Sequence, residues 1–315
     1  MSSAPHQPSG DVAVSEELAA PVGSEVELCY QTLGSPDDDP LLLVMGLGGP
    51  MNWWDTGLCC RLAQAGFFVI RYDNRDTGRS SRMPTRVRRH QLLGAFAGAP
   101  TRAPYSISDM AGDAVALLDH LDVDAAHVVG VSMGGMIAQQ LTIDHPDRVL
   151  SLCSIMSNTG TRRHGTVAPR LLPTVALSMT TPRPEDPAEA EQLAVDSFRL
   201  IAGPHFDEDE MAVMARRAIG RNVNPLGTVR QLLAIQASPD RTPGLRQVTV
   251  PTVVIHGLLD QLVLPSGGIA TARAVPGSRL VMFPDMAHDL PGPRRAEIVE
   301  EIARNAARAK VSTSA

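Results

Sequence analysis

The 315-residue chain predicts a doubly wound α/β fold, in which helices cover both faces of a mostly parallel sheet and a helical cap is inserted. Three observations predict this architecture. Short apolar runs alternate with helical stretches along most of the chain, which is the pattern of a parallel sheet. The alternation stops between residues 161 and 246, where only helical segments are found. A Gly-x-Ser-x-Gly turn follows one apolar run, and this turn belongs between a buried strand and a helix.

Seven apolar runs have the length and composition of strands. Several are nearly continuous Val, Ile and Leu, as expected for strands that are buried on both faces. The first run is compatible with an antiparallel edge. In chain order, the strands are predicted at residues 26–30, 41–45, 67–72, 127–131, 151–155, 252–256 and 279–283, and helices between them at 54–64, 108–121, 133–144, 267–274 and 294–308.

Residues 161–246 are predicted to form the cap. Met211, Met214 and Ala215 fall on one face of a helix, which gives that helix an apolar side. Asn224, which is followed by proline, has the features of a helix start. An ordinary run of surface helices is the alternative interpretation. The helical segments of this stretch lie near residues 168–179, 187–202, 207–221 and 225–237.

The rest of the chain divides into a core at residues 21–160 and 247–315 and a flexible tail at 1–20. The first ten residues are polar and lack the basic and apolar parts of a secretion signal. No apolar run reaches the ~18 residues of an integral membrane helix. The net charge of −6 argues against nucleic acid as the main partner. The four cysteines have no metal-ligand spacing, so we expect free thiols in a reducing, cytoplasmic compartment.

Residues 130–134, Gly-Val-Ser-Met-Gly, match the nucleophile-elbow pattern. A short apolar run precedes them and a helical stretch follows them, which is the context that the pattern requires. Gly130 and Gly134 carry no Cβ, so the strand and the helix can approach closely. Ser132 is therefore expected in a strained turn at the carboxyl end of the sheet, where the N-terminus of a helix favours developing negative charge.

A serine nucleophile needs a base, and the base needs an acid that orients it. With this elbow the chain order is Ser, then Asp or Glu, then His. Asp260 and His288 follow the last two predicted strands, so both lie at the edge of the sheet that holds Ser132. We predict Ser132 as the nucleophile, His288 as the base and Asp260 as the acid. Asp285 and Asp289 flank His288 and are the alternative acids, whereas His256 and His127 are expected to be structural.

Two backbone N–H groups must stabilise the oxyanion of the tetrahedral intermediate. One is expected at Met133, directly after the nucleophile. The other is assigned by position to Leu47, in the glycine-rich loop after the second predicted strand. This loop lacks the Gly-Lys-Ser/Thr ending of a phosphate-binding loop.

Five residues are predicted to line the substrate pocket near these groups. Trp53 and Trp54 follow the oxyanion loop and are equally compatible with core packing, but Trp54 is included. Methionines of the cap would make the pocket apolar and adaptable. The predicted lining residues are Gly46, Gly48, Trp54, Met211 and Met214.

The segment 79–90 is rich in arginine. A solvated loop is one interpretation, and a flap that attracts anionic substrates to the pocket mouth is the other. Charged residues that directly follow the strand at 67–72 are instead expected to brace a turn. The bracing residues are Asp73, Arg75, Asp76 and Arg79, and the basic cluster consists of Arg82, Arg86, Arg88, Arg89 and His90.

Three segments carry a family resemblance: 44–49 (VMGLGG), 69–80 (VIRYDNRDTGRS) and 127–135 (HVVGVSMGG). On the basis of these segments, the chain resembles the α/β-hydrolase superfamily over residues 25–305. The resemblance is to the branch that contains proline iminopeptidases, cofactor-free haloperoxidases and small esterases. The middle segment is most similar to the aclacinomycin methylesterase and mycobacterial esterase/lipase G types. The resemblance implies an eight-stranded sheet, a four-helix cap and ester hydrolysis through an acyl-serine without a cofactor.

These features predict a Ser-Asp-His carboxylesterase that acts on a hydrophobic or mid-sized small-molecule ester, with no cofactor and no metal. A homodimer is compatible with the sequence. One alternative keeps the same triad in a perhydrolase-type haloperoxidase or a carbon–carbon bond hydrolase. An alternative of another class is a receptor with the hydrolase fold that turns over slowly.

Overall fold

The computed structural model describes residues 12–23, 25–87, 91, 102–178, 184, 186–221 and 224–312. Within these ranges, eight strands form one sheet in the order β1-β2-β4-β3-β5-β6-β7-β8. The pairs β1–β2 and β2–β4 are antiparallel, and the other neighbouring pairs are parallel. The strands are β1 Leu18–Pro21, β2 Glu27–Leu33, β3 Asp39–Val44, β4 Phe67–Tyr72, β5 Ala126–Val131, β6 Val149–Ile155, β7 Thr252–Gly257 and β8 Arg279–Phe283.

Helices lie on both faces of this sheet. Alternate side chains of β3 show the two faces: Leu41 and Leu43 belong to one apolar core, and Leu42 and Val44 to the other. The predicted doubly wound, mostly parallel sheet is therefore confirmed. The flanking helices are α1 Thr56–Gln64, α2 Ile107–His120, α3 Met133–Asp144, α9 Ser266–Ala274 and α10 Arg295–Ser312.

The first turns of these helices explain where they begin. The carboxylate of Asp55 accepts a hydrogen bond from the N–H of Leu58, so α1 starts at Thr56 rather than at the predicted residue 54. Ser106 and Asp109 form a reciprocal capping box at the start of α2.

Between β6 and β7 the described residues form helices and no strand. Asn224 caps the helix Pro225–Ala237 by accepting from the N–H of Gly227, in agreement with its predicted role. Val195, Met211 and Ala215 form a small apolar cluster between two of these helices. The segment contains α4 Leu172–Ser178, α5 Pro187–Arg199, α6 Glu208–Ile219, α7 Pro225–Ala237 and α8 Thr242–Leu245.

The predicted flexible tail, residues 1–20, is too long. Leu18–Pro21 is an edge strand, and Val14 forms an isolated bridge with Leu33. The N–H of Ser15 also donates to the carbonyl of Thr32. Of the four residues of β1 only Ala20 is buried, so the strand lacks the alternation of buried apolar and exposed polar residues by which a strand is predicted. Residues 1–11 lie outside the described residues.

Three residues of the predicted basic cluster, Arg88, Arg89 and His90, also lie outside the described residues. The flap hypothesis for this loop therefore stays a prediction. Among the helices that are described, none combines the length and the apolarity needed to cross a bilayer.

Candidate active site

Ser132 lies in a tight turn between β5 and α3. Its backbone has φ 56° and ψ −119°, a combination that is strained for a residue with a side chain. The turn is possible because of its glycines: a Cβ on Gly130 would lie 2.1 Å from the carbonyl oxygen of Gly134. A Cβ on Gly134 would lie 2.0 Å from the carbonyl oxygen of Val44. Ser132 is thus held above the carboxyl ends of β3 and β5.

The structure brings the three predicted triad residues together. The Nε2 atom of His288 lies 3.0 Å from Ser132 Oγ, and its Nδ1 atom lies 2.8 Å from Asp260 Oδ2. Because a carboxylate only accepts, Nδ1–H donates to Asp260, which leaves Nε2 to accept from the serine hydroxyl. Asp260 follows β7 and His288 follows β8, so neighbouring parallel strands place both at the sheet edge that holds Ser132.

Asp260 is 1% exposed, and its second oxygen accepts from the backbone N–H groups of Leu262 and Val263, both at 2.9 Å. Burial acts to raise the pKa of this carboxyl. The charges and hydrogen bonds of His288 and His256 outweigh burial and lower the pKa to about 2. Asp260 is therefore ionised at neutral pH.

His256 contributes a contact that the sequence did not predict. It is fully buried, and its Nε2 atom lies 2.8 Å from the carbonyl oxygen of Val263 and 3.4 Å from Asp260 Oδ2. Since both neighbours accept, Nε2 carries a hydrogen that faces the acid. The four-residue spacing between His256 and Asp260 was the available signal, but it is also typical of a core histidine.

The two alternative acids are engaged elsewhere. Asp285 binds Arg294 and His205. Asp289 accepts from the backbone N–H groups of Gly203 and Ala287. The geometry therefore favours Asp260 over both as the partner of the His288 ring.

The two predicted oxyanion donors flank Ser132. Met133 is the first residue of α3, so its N–H has no acceptor within the helix. On the other side, a Cβ on Gly46 would lie 3.2 Å from the Cβ of Ser132, which places the loop of Leu47 beside the nucleophile. The carbonyl of Gly46 accepts from the N–H of Gly49 across a turn. Because C=O and N–H point in opposite directions within one peptide, the N–H of Leu47 is directed out of that turn.

A cavity of about 220 Å³ lies over Ser132 and His288. Of the predicted pocket residues, Gly46, Met211 and Met214 line it, together with Leu47. Several other apolar lining residues are not predicted from the sequence, because they come from distant segments of the chain that only long-range packing brings together. These residues are Met45, Trp53, Val131, Met156, Phe198, Ile201, Phe206, Leu262 and Leu290.

Two predicted pocket residues do not line the cavity. Trp54 is fully buried in the core between α1 and the sheet, and its neighbour Trp53 forms the cavity wall instead, edge-on to Phe198. Trp53 ends a 3₁₀ turn, Met51–Trp53, and Trp54 follows it with an extended backbone, so the two side chains leave the chain in different directions. Gly48 lies under α7, where a Cβ would meet Thr228 Oγ1 at 2.7 Å.

The charged residues after β4 brace the neighbouring loops, as expected. Asp73 accepts from the N–H of Met51 at 2.7 Å and pairs with Arg221 of the cap. Asp76 forms a two-pronged pair with Arg230 of α7, with N–O distances of 2.7 and 2.5 Å. These buried ion pairs join the cap to the loop that follows β4.

Comparison with known proteins agrees with this architecture. The family model of the alpha/beta hydrolase fold matches residues 39–291. The chain belongs to the α/β-hydrolase family. It is 32% identical to rhodomycin D methylesterase DnrP of Streptomyces peucetius over 288 residues, which cover 85% of this chain and 90% of that protein. With such relatives, the chain is a hydrolytic enzyme of the esterase type.

Solved structures share the fold. The esterase RhEst1 from Rhodococcus sp. ECU1013 superposes with a TM-score of 0.72 at 20% identity, covering 92% of this chain and 98% of that one. The enol-lactonase of Burkholderia xenovorans LB400 has a TM-score of 0.71 at 22% identity, covering 91% of this chain and 99% of that one.

Proposed function

We propose that the chain hydrolyses carboxylic esters through an acyl intermediate on Ser132, with His288 as the general base and acid and Asp260 as the acid that orients it. One observation supports the proposal above all. Hydrogen bonds link Ser132 to His288 and His288 to Asp260, and Ser132 lies under a mostly apolar cavity. The nucleophile, its base and the orienting acid are each within hydrogen-bond distance of the next, as this chemistry requires.

In the first half-reaction, Ser132 Oγ attacks the carbonyl carbon of the ester while His288 Nε2 takes the hydroxyl proton. Asp260 stabilises the resulting imidazolium. The N–H groups of Leu47 and Met133 receive the oxyanion. The C–O bond to the alcohol then breaks, and His288 gives its proton to the leaving oxygen. In the second half-reaction, water attacks the acyl-serine and His288 takes a proton from the water. His288 then returns this proton to Ser132 Oγ as the acid product leaves.

We propose a hydrophobic, mid-sized substrate that carries a small ester group. Most of the cavity wall is apolar, and it includes three aromatic side chains, four methionines and three leucines, which favour apolar ligands. The relatives named as rhodomycin D methylesterases support a methyl ester as that group.

The test is hydrolysis of p-nitrophenyl esters of increasing acyl length, and of aryl methyl esters, by the wild type and by Ser132→Ala. We expect steady turnover that the substitution lowers by at least ~10³-fold, because the nucleophile is lost. Ser157→Ala is the matched control: this buried serine lies behind the elbow, and its hydroxyl has no hydrogen-bond partner among the described residues. Equal turnover by Ser132→Ala and the wild type would refute the proposal.

A reducing, cytoplasmic location is proposed on the state of the cysteines. All four are free and buried, and burial raises the pKa of the Cys29 thiol to about 11 and that of Cys59 to about 12. Such thiols are protonated and unreactive at neutral pH.

A further inference from the structure

One side chain of the cap reaches the oxyanion loop. Gln231 of α7 is fully buried, and its Oε1 atom accepts from the N–H of Gly48 at 2.8 Å. Its Nε2 atom donates to the carbonyl of Arg75 and to Thr77 Oγ1, both at 2.8 Å. The amide therefore has one orientation, because its oxygen faces a donor and its nitrogen faces two acceptors.

The bond to Gly48 acts on the central peptide of a turn. Residues 46–49 form a β-turn closed by the N–H of Gly49 on the carbonyl of Gly46, and Gly48, its third residue, has φ +64°. A positive φ at this position is the mark of a type II turn, which differs from type I by rotation of the central peptide. That peptide joins Leu47 to Gly48 and carries the N–H that Gln231 binds.

Rotation of the central peptide would change ψ of Leu47, and the N–H of Leu47, which is assigned to the oxyanion hole, lies on the neighbouring peptide of the same turn. Gln231 opposes this rotation, because the rotated peptide would turn away its N–H and leave the buried Oε1 atom unpaired. The position of α7 is itself fixed. Thr228, one helical turn before Gln231, packs against Gly48, and Arg230 is paired with Asp76.

We propose that Gln231 is a positioning residue for the oxyanion hole, through which the cap takes part in stabilising the transition state. The proposal rests on the ester hydrolysis proposed above. Gln231 acts through Gly48 and Leu47 and does not touch the substrate, and it does not line the cavity. Its loss should therefore lower kcat and leave KM for a small ester unchanged.

The test compares Gln231→Met and Gln231→Glu with the wild type on one p-nitrophenyl ester. Methionine keeps the size of the side chain but cannot accept from Gly48, and we expect kcat to fall about tenfold, which is a part of the 10²–10³-fold lost with a whole oxyanion donor. Glutamate keeps an acceptor for Gly48, so its kcat should lie between those of Gln231→Met and the wild type. Thr77→Val, which removes only one partner of Gln231, is the milder variant should neither glutamine variant fold.

Gln139→Met is the matched control. Gln139 is equally buried in α3, where it bonds Ser154 and Arg241 and no group of the oxyanion loop. It should reproduce any general loss of thermal stability without the loss of kcat.

A second measurement distinguishes a misplaced oxyanion hole from general disorder of the active site. An aryl trifluoromethyl ketone forms a hemiketal oxyanion on a reactive serine, whereas the matching methyl ketone binds without one. In Gln231→Met the inhibition constant of the trifluoromethyl ketone should rise by the same factor by which kcat falls, and that of the methyl ketone should not change. An unchanged kcat in a folded Gln231→Met, or an unchanged trifluoromethyl ketone constant beside a lowered kcat, would overturn the proposal. Retained turnover in Ser132→Ala would instead refute the proposed function itself.

Discussion

Asp260 keeps a negative charge at a place that is almost closed to water. Two backbone N–H groups and two histidines surround it, and together they outweigh the cost of burying a charge. In the proposed mechanism this charge fixes the tautomer of His288 and stabilises the imidazolium that forms during attack.

Asp260→Asn should lower kcat by roughly 10³–10⁴-fold, because an amide cannot stabilise the imidazolium and favours the wrong tautomer. Asp285→Asn is the control, since Asp285 flanks His288 in sequence but binds Arg294 and His205. Steady-state kinetics of both variants on one ester would decide between the two acids. A larger loss in Asp285→Asn would reverse the assignment.

The same group sets a pH dependence of stability. The pKa of Asp260 is about 2 in the folded protein, below the usual value of about 3.9 for an unfolded chain. Its ionisation therefore contributes stability that is complete above about pH 4 and is lost as the pH falls towards 2. Urea unfolding of the wild type and Asp260→Asn should show a stability difference that shrinks by about 2 kcal/mol between pH 6 and pH 2. A difference that grows on acidification would contradict the low pKa.

At the scale of elements, the nucleophile elbow is the part of the site that the sequence predicts best, because its requirements are local. Two glycines and a serine between an apolar run and a helix fix both the turn and the start of α3 at Met133. The edge strand β1 is not predicted, because only one of its four residues is buried and it has no apolar alternation. The start of α1 was misplaced because Asp55, its cap, follows two tryptophans that suit a helix equally well.

Gly130→Ala should destabilise the fold by at least ~3 kcal/mol or prevent folding, since the new Cβ would overlap the backbone of Gly134. Gly112→Ala is the control, and its expected effect on stability has the opposite sign. Gly112 lies within α2, and among the described residues no atom outside its own helix backbone lies within 4 Å of an added Cβ, so alanine should stabilise the protein by about 0.5–1 kcal/mol. Urea unfolding measures both, and equal effects of the two substitutions would contradict the packing described for the elbow.

At the scale of the whole molecule, hydrogen bonds and ion pairs tie the cap to loops at the carboxyl edge of the sheet. Helix α7 reaches the loops after β3 and β4 through Gln231 and Arg230. In the middle of the cap, after α5, the carbonyl of Ile201 accepts from the N–H of His288, and Gly203 donates to Asp289. The sequence predicts that Asp73 and Asp76 brace a turn, but their cap partners lie far away along the chain. No local pattern links such residues, so this part of the site could not be predicted.

Arg230→Gln should lower the free energy of unfolding by about 3 kcal/mol, because it leaves the buried carboxylate of Asp76 without its counter-charge. Removing both charges in Asp76→Asn/Arg230→Gln should recover part of that loss. The measurement is urea unfolding of the two single variants and the double variant. Strictly additive losses in the double variant would show that the pair does not couple the cap to the core.

Mass spectrometry of the trapped enzyme shows directly whether Ser132 is the nucleophile. The protein is treated with an aryl phosphonate ester, which leaves a stable phosphonyl group on an activated serine, and the modified peptide is identified. We expect one phosphonyl group, located on Ser132, with labelling lost in Ser132→Ala and strongly slowed in His288→Ala. Labelling at another residue, or undiminished labelling of Ser132→Ala, would contradict it.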